Sequence, residues 1–122
     1  MRLNIPNHEF NDFSADLEKK LNLMAEHVLS DQKEDILNIN LKFVSSFEMK
    51  KLNKEFRNKS SDTNVLSFPA IREIQEISGE LGDIAMSIPY IKTESQNLNR
   101  DEEDHMMHLL AHGILHLLGF DH

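Results

Sequence analysis

The chain has 122 residues, no cysteine and a formal net charge of −8 at pH 7. That length suits one domain spanning residues 1–122 and excludes two; the absence of thiols excludes both a disulfide framework and a thiolate metal site; and the acidic balance, taken alone, argues against a nucleic-acid partner. No segment approaches the roughly 18 consecutive apolar residues of a membrane span, and the N-terminus lacks an apolar run of signal-peptide length, so a cytoplasmic protein with no membrane partner is expected.

Leu3 and Ile5 alternate with Arg2 and Asn4, the period-two signal of a short edge strand ending before Pro6. Apolar residues then fall at 10, 13, 17, 21, 24 and 28, which predicts a helix from Asp12 to Leu29 with Asn11 or Asp12 as N-cap. His8 and His27 have no spaced partner and are read as solvated. Leu37, Ile39, Leu41 and Phe43 alternate with Asn38, Asn40 and Lys42, a half-buried strand. Ser45 followed by Glu48 is a capping box, announcing a helix through Phe56 with Met49, Leu52 and Phe56 facing inward.

Residues 58–62 have loop composition, and Thr63 to Phe68 reads as a strand stopped by Pro69. Ile71 to Ser78 has no decisive period and is expected to be a loop or a hairpin arm. Gly82 to Ile88 reads as another strand, and Pro89 is acceptable in the first turn of a helix that runs to Asn97 with Ser87 or Ile88 before it. Asn99 is placed to cap the final helix, whose first turn holds Asp101, Glu102, Glu103 and Asp104 at the positive end of its dipole. The element order β-α-β-α-β-β-α-α, with no repeat or linker, fits an α+β fold: a mixed sheet of about four strands packed against helices.

Charge is unevenly spread. Between Lys42 and Lys59 stand six cations against two anions, a local +4 that leaves −12 on the remainder. A basic stripe on an acidic body can bind phosphates, and a solvated helix face is the alternative reading.

The final helix carries His105, His108, His112 and His116. Residues four apart share a helix face, so both His108 with His112 and His112 with His116 can aim at one ion. Gly119 suits a left-handed helix end that reverses the chain, and only a metal near that end can also be reached by His122. His112, His116 and His122 are therefore the expected ligands of one zinc ion, with a fourth position open as in catalytic sites. His105 and His108 are read as surface residues or supports behind a ligand. The spacing H-x-x-x-H-x-x-G-x-x-H matches the extended zincin signature, but Gly113 stands where that signature has its general-base Glu. Peptidase chemistry relying on that carboxylate is disfavoured.

The stretch from His112 to His122, with its Gly113, Leu115, Leu117, Gly119 and Asp121, resembles the signature of the endoribonuclease YbeY family. Leu52-Asn53 to Arg57, Thr63-Asn64-Val65-Leu66-Ser67-Phe68-Pro69 and Leu81-Gly82-Asp83-Ile84 agree with it in order. The resemblance implies an α+β fold with a zincin-like three-histidine zinc site, metal-dependent cleavage of single-stranded RNA, and a role in 16S ribosomal RNA 3′-end maturation and ribosome quality control. It implies His112, His116 and His122 as ligands, Arg57 beside the metal, and ribosomal RNA and the small ribosomal subunit as partners; no DNA partner is expected, and since nothing in the pattern requires a dimer a monomer is expected. Two departures stand out: the family's usual aspartate is Asn64 here, and the chain stops at His122 where relatives continue with an acidic segment.

On this reading Arg57 clamps the phosphodiester, and Lys50, Lys51, Lys54 and Lys59 are candidate backbone contacts. Asp121 is placed to orient an imidazole, or else forms the turn. Two other function classes are compatible with the residues: a non-catalytic, zinc-stabilised ribosome assembly factor, and a hydrolase of peptides or small substrates.

Overall fold

The computed structural model describes residues 2–5, 15–30 and 38–120. In chain order these form β1 (Arg2–Asn4), α1 (Ala15–Leu29), β2 (Asn38–Val44), α2 (Ser46–Arg57), β3 (Val65–Pro69), α3 (Arg72–Ser78), β4 (Glu80–Ser87), α4 (Ile88–Asn97) and α5 (Glu102–Leu117). The strands make one mixed sheet in the order β1-β2-β4-β3, parallel except for β3, which runs antiparallel to β4. This is the expected α+β architecture. His8, the start of the first helix with its cap, Leu37, Asp121 and His122 lie outside the described residues.

The alternation in β2 sorts its side chains as expected. Ile39, Leu41 and Phe43 are buried with Ile84 and Met86 of β4 against Leu21 and Ala25 of α1, Ile91 of α4, and Leu110, Ile114 and Leu117 of α5. Each such aliphatic side chain removed from water contributes roughly 1.5–3 kcal/mol, so this layer carries most of the stability. A smaller cluster on the opposite face of the sheet joins Val44, Leu66 and Ala85 to Met49 of α2. β4 is therefore covered on both faces, as an interior strand requires.

Local signals set several boundaries. Ser45 Oγ accepts the Glu48 backbone N–H at 3.1 Å, but only half of the capping box is made, because the Glu48 carboxylate pairs with Lys42 at 2.9 Å. Ser87 caps α4 ahead of Pro89 by accepting from Tyr90 N. Pro69 is the last residue of β3 and not a stop before it; β3 is an edge strand, where a missing N–H is tolerated.

Two further expectations about the elements fail. Residues 72–78 form a helix with no buried residue. Ile71, Ile74 and Ile77 recur every third position, yet all three stay exposed, so no core-facing period marks the segment. Its anchor is polar: Gln75 Nε2 donates to Leu81 O at 3.0 Å and to Leu117 O at 3.3 Å. The cap of α5 is Asp101, which accepts from Asp104 N at 3.1 Å, while Asn99 instead takes a left-handed conformation with φ 56°.

At Gly82 the space for a side chain is taken by the backbone of residues 68–70. With φ +143°, a Cβ there would lie 2.3 Å from Phe68 O and 2.9 Å from Pro69 Cα, and backbone cannot step aside as a flexible side chain can. Gly82→Ala is expected to cost about 3 kcal/mol of unfolding free energy, read from the midpoint of urea denaturation at unchanged slope.

Candidate active site

The site is built on α5, whose burial follows its sequence period. His105, Met106, Leu109, Leu110, Gly113, Ile114 and Leu117 are buried, leaving His108, His112 and His116 exposed along one stripe. Gly113 lets the helix lie close to the sheet. A Cβ at this position would sit 3.0 Å from Ile84 Cδ1 and 3.2 Å from Ser67 Oγ, and the Ser67 hydroxyl donates to Gly113 O at 3.3 Å. The position that bears the general base in the zincin signature thus serves here as a packing contact, and a glutamate would begin against Ile84 and Ser67.

Opposite this helix stands the C-terminal end of α2. Asn58 ends that helix in a left-handed conformation, φ 58°, with its N–H on Asn53 O and Lys54 O. Asn53 is 2% exposed, and its side chain donates to Ser61 O at 2.8 Å, tying the following loop back to the helix. Asp62 continues the tether by accepting from Thr63 N and from the Ser87 hydroxyl. Arg57, the last residue of α2, is thereby held at the mouth of a cleft. Asn53 has no catalytic chemistry of its own, and only its place in an otherwise amphipathic helix hinted at this role.

The cleft measures about 750 Å³ and is lined by Phe56, Arg57, Val65 to Pro69, His112, Gly113 and His116. Phe56 was expected to face the core; it is 58% exposed and packs edge-on against Phe68 at 4.9 Å. His108 does not line the cleft, although its ring lies 5.1 Å from that of His112. Lys50, Lys51, Lys54 and Lys59 are exposed on and just beyond α2 and outside the cleft lining. Among the described residues no carboxylate lines the cleft, and Arg57 is its one permanently charged group.

The helix end next to His116 is closed by paired backbone bonds. Gly119 N donates to His116 O and Phe120 N to Leu115 O, both at 3.0 Å, with Gly119 at φ +95°. This is the Schellman arrangement, the left-handed turn expected of Gly119. No three His, Cys, Asp or Glu side chains among the described residues converge on a metal position. His122 and Asp121 lie outside them. Two imidazoles one helical turn apart and facing one cleft form a donor pair suited to zinc.

Comparison with known proteins matches residues 4–122 to the family described as Endoribonuclease YbeY. The chain belongs to the YbeY family. An Endoribonuclease YbeY from Wigglesworthia glossinidia brevipalpis is 42% identical over 84 residues, covering 69% of this chain and 55% of the relative. Another from Sulfurihydrogenibium sp. is 35% identical over 111 residues, covering 90% of this chain and 73% of the relative. The chain thus spans little more than half the length of the first. The solution structure of TM1509 from Thermotoga maritima aligns with a TM-score of 0.67 at 28% identity, covering 99% of this chain and 75% of that one.

Asn64, where the resemblance leads one to expect an aspartate, is held by two hydrogen bonds. Its Nδ2 donates to Glu94 Oε1 at 2.9 Å and its Oδ1 accepts from Val65 N at 2.7 Å. The same Glu94 oxygen lies 2.7 Å from His105 Nε2. An aspartate at position 64 would set a second carboxylate against Glu94. His105, expected at the surface or behind a ligand, is instead 4% exposed and is committed to Glu94. Burial pushes the Glu94 carboxyl up, but the hydrogen bonds from Asn64 and His105 and the His105 charge outweigh it and hold the carboxyl below its ordinary 4.5.

A carboxyl lowered on folding stabilises the fold above its unfolded-state value and loses that contribution as pH falls through the folded-state value. Denaturation of the wild type and Glu94→Gln across acid pH should therefore give a stability gap that is full at neutral pH and closes on acidification below about pH 4.5.

Proposed function

We propose that the chain is a metal-dependent endoribonuclease acting on single-stranded RNA. The carrying observation is the cleft itself: His112, His116 and Arg57 line one concavity in which no described residue contributes a carboxylate, on a chain of net charge −8. A cationic cleft within an acidic body selects an anionic substrate. The relatives named Endoribonuclease YbeY support the same reading.

In this reading His112, His116 and His122 hold one zinc ion per chain, and Asp121 orients an imidazole. When bound, zinc would supply Lewis acidity and lower the pKa of water to roughly 7, which would dispense with a strong protein base. The chain's own residues do the rest. The planar guanidinium of Arg57 takes two oxygens of a phosphodiester at once and offsets the charge that builds on phosphorus-bound oxygen. Lys50, Lys51, Lys54 and Lys59 hold flanking phosphates and set register without reading sequence. Val65, Leu66, Phe68 and Pro69 wall the cleft with apolar surface, which strengthens the Arg57 contact by excluding water. Gly113 argues against proteolysis, since its place is filled by packing against Ile84 and Ser67.

Processing of 16S ribosomal RNA at its 3′ end, ribosome quality control, association with the small ribosomal subunit, a cytoplasmic location and a monomeric state belong to the same proposal. Among the described residues no helix is long and apolar enough to cross a membrane.

His116→Ala should lose bound zinc and RNA cleavage together. Arg57→Ala should keep its zinc and lose about 10²- to 10³-fold in kcat, the usual cost of one charge-stabilising donor. Metal analysis paired with a gel assay on a single-stranded RNA checks both, and full activity in a metal-free preparation would overturn the proposal.

A further inference from the structure

Phe56 and Phe68 line not only the cleft but also a second concavity of about 450 Å³ beside it, on the α2 side of the sheet. Leu52 and Ala85 give this groove an apolar floor, and Asn40, Lys42, Glu48 and Asp83 form its rim. Lys42 is neutralised by Glu48 at 2.9 Å, and the Asn40 amide donates to Asp83 Oδ1 at 3.0 Å. The rim therefore presents carboxylate acceptors and no unpaired cation, which repels a phosphate but suits an uncharged group that donates hydrogen bonds. At its entrance stands the Phe56 ring, exposed and braced edge-on by Phe68, directly before Arg57 in the chain.

An apolar ring beside an acceptor-rich rim, continuous with a phosphate-selecting cleft, matches the two faces of one ligand. We propose that the groove is a base-binding subsite. It takes the base of the RNA residue adjoining the phosphodiester in the cleft, stacked on Phe56, with the amino edge of cytosine, adenine or guanine toward Asp83. The inference rests on the endoribonuclease reading and adds to it a discrimination against uracil at one position next to the cut. Stacking on an aromatic ring tolerates any base, so that discrimination comes from Asp83 alone.

The test uses zinc-loaded protein and short single-stranded RNAs carrying 2′-O-methyl riboses, with one residue at a time made abasic, and reads binding by fluorescence anisotropy. One abasic position should weaken binding to the wild type about tenfold, in line with the loss of one stacked base. The same position should cost little in Phe56→Ala and in Phe56→Leu, which keeps apolar bulk but lacks a π-face, and should cost the full amount in Phe56→Tyr. At that position cytosine should bind more tightly than uracil, and equal binding overturns the Asp83 contact. RNA binding with the same abasic profile in wild type and Phe56→Ala overturns the subsite while leaving the endoribonuclease reading intact. No binding to any RNA overturns both.

Discussion

The close approach of α5 to β3 and β4 at Gly113 is the constraint on which the site depends. With no Cβ at that position, the helix lies near enough for the Ser67 hydroxyl to reach the Gly113 carbonyl and for Ile84 to fill the remaining space. The approach turns the apolar stripe of α5 into the core and leaves His112 and His116 on the cleft side. It also brings those imidazoles alongside the strand that walls the cleft. A larger residue would widen the cleft and loosen the same core that holds the sheet together, so packing and site geometry are one problem here.

The opposite wall is positioned by polar tethers. Asn58 ends α2 abruptly, and Asn53 and Asp62 hold the loop that follows, so Arg57 projects from a braced helix end rather than from a free loop. The result is local charge reversal: the chain is strongly acidic, yet among the described residues its cleft carries one guanidinium and no carboxylate. Carboxylates that might have intruded are engaged elsewhere. Glu94 is held by Asn64 and His105, and Asp62 by Thr63 and Ser87. Asn64 belongs to this arrangement, because it gives Glu94 a donor where an aspartate would set a competing charge.

Much of this was legible in the chain because the responsible interactions are local. The alternation of Leu37 to Phe43, Ser45 ahead of its helix, Pro89 behind Ser87, the acidic first turn of α5 and the left-handed Gly119 all act within a few residues, and the described parts of each stand where their pattern puts them. The i, i+4 relation of His112 and His116 is equally local, and it reappears as two imidazoles in one cleft. What escaped depends on distant partners. Residues 72–78 form a helix whose anchor is one glutamine reaching β4 and α5, a bond no periodicity announces. Phe56 sits at a core-compatible spacing but meets Phe68 at a rim. His105 is one turn before Leu109 on the apolar stripe of α5, which was the available sign that it would be buried. Its partner Glu94, on the preceding helix, was visible only in three dimensions.

On the proposed function, packing at Gly113 and the tethering of Arg57 make a metal-dependent site for phosphodiesters and not for peptides. Parallel incubation of zinc-loaded protein with a structured RNA and with a peptide pool, each with and without chelator, tests it most directly. Cleavage within single-stranded regions of the RNA, its loss on chelation, and intact peptides throughout are expected; chelator-resistant RNA cleavage, or zinc-dependent peptide hydrolysis, would overturn the proposed function.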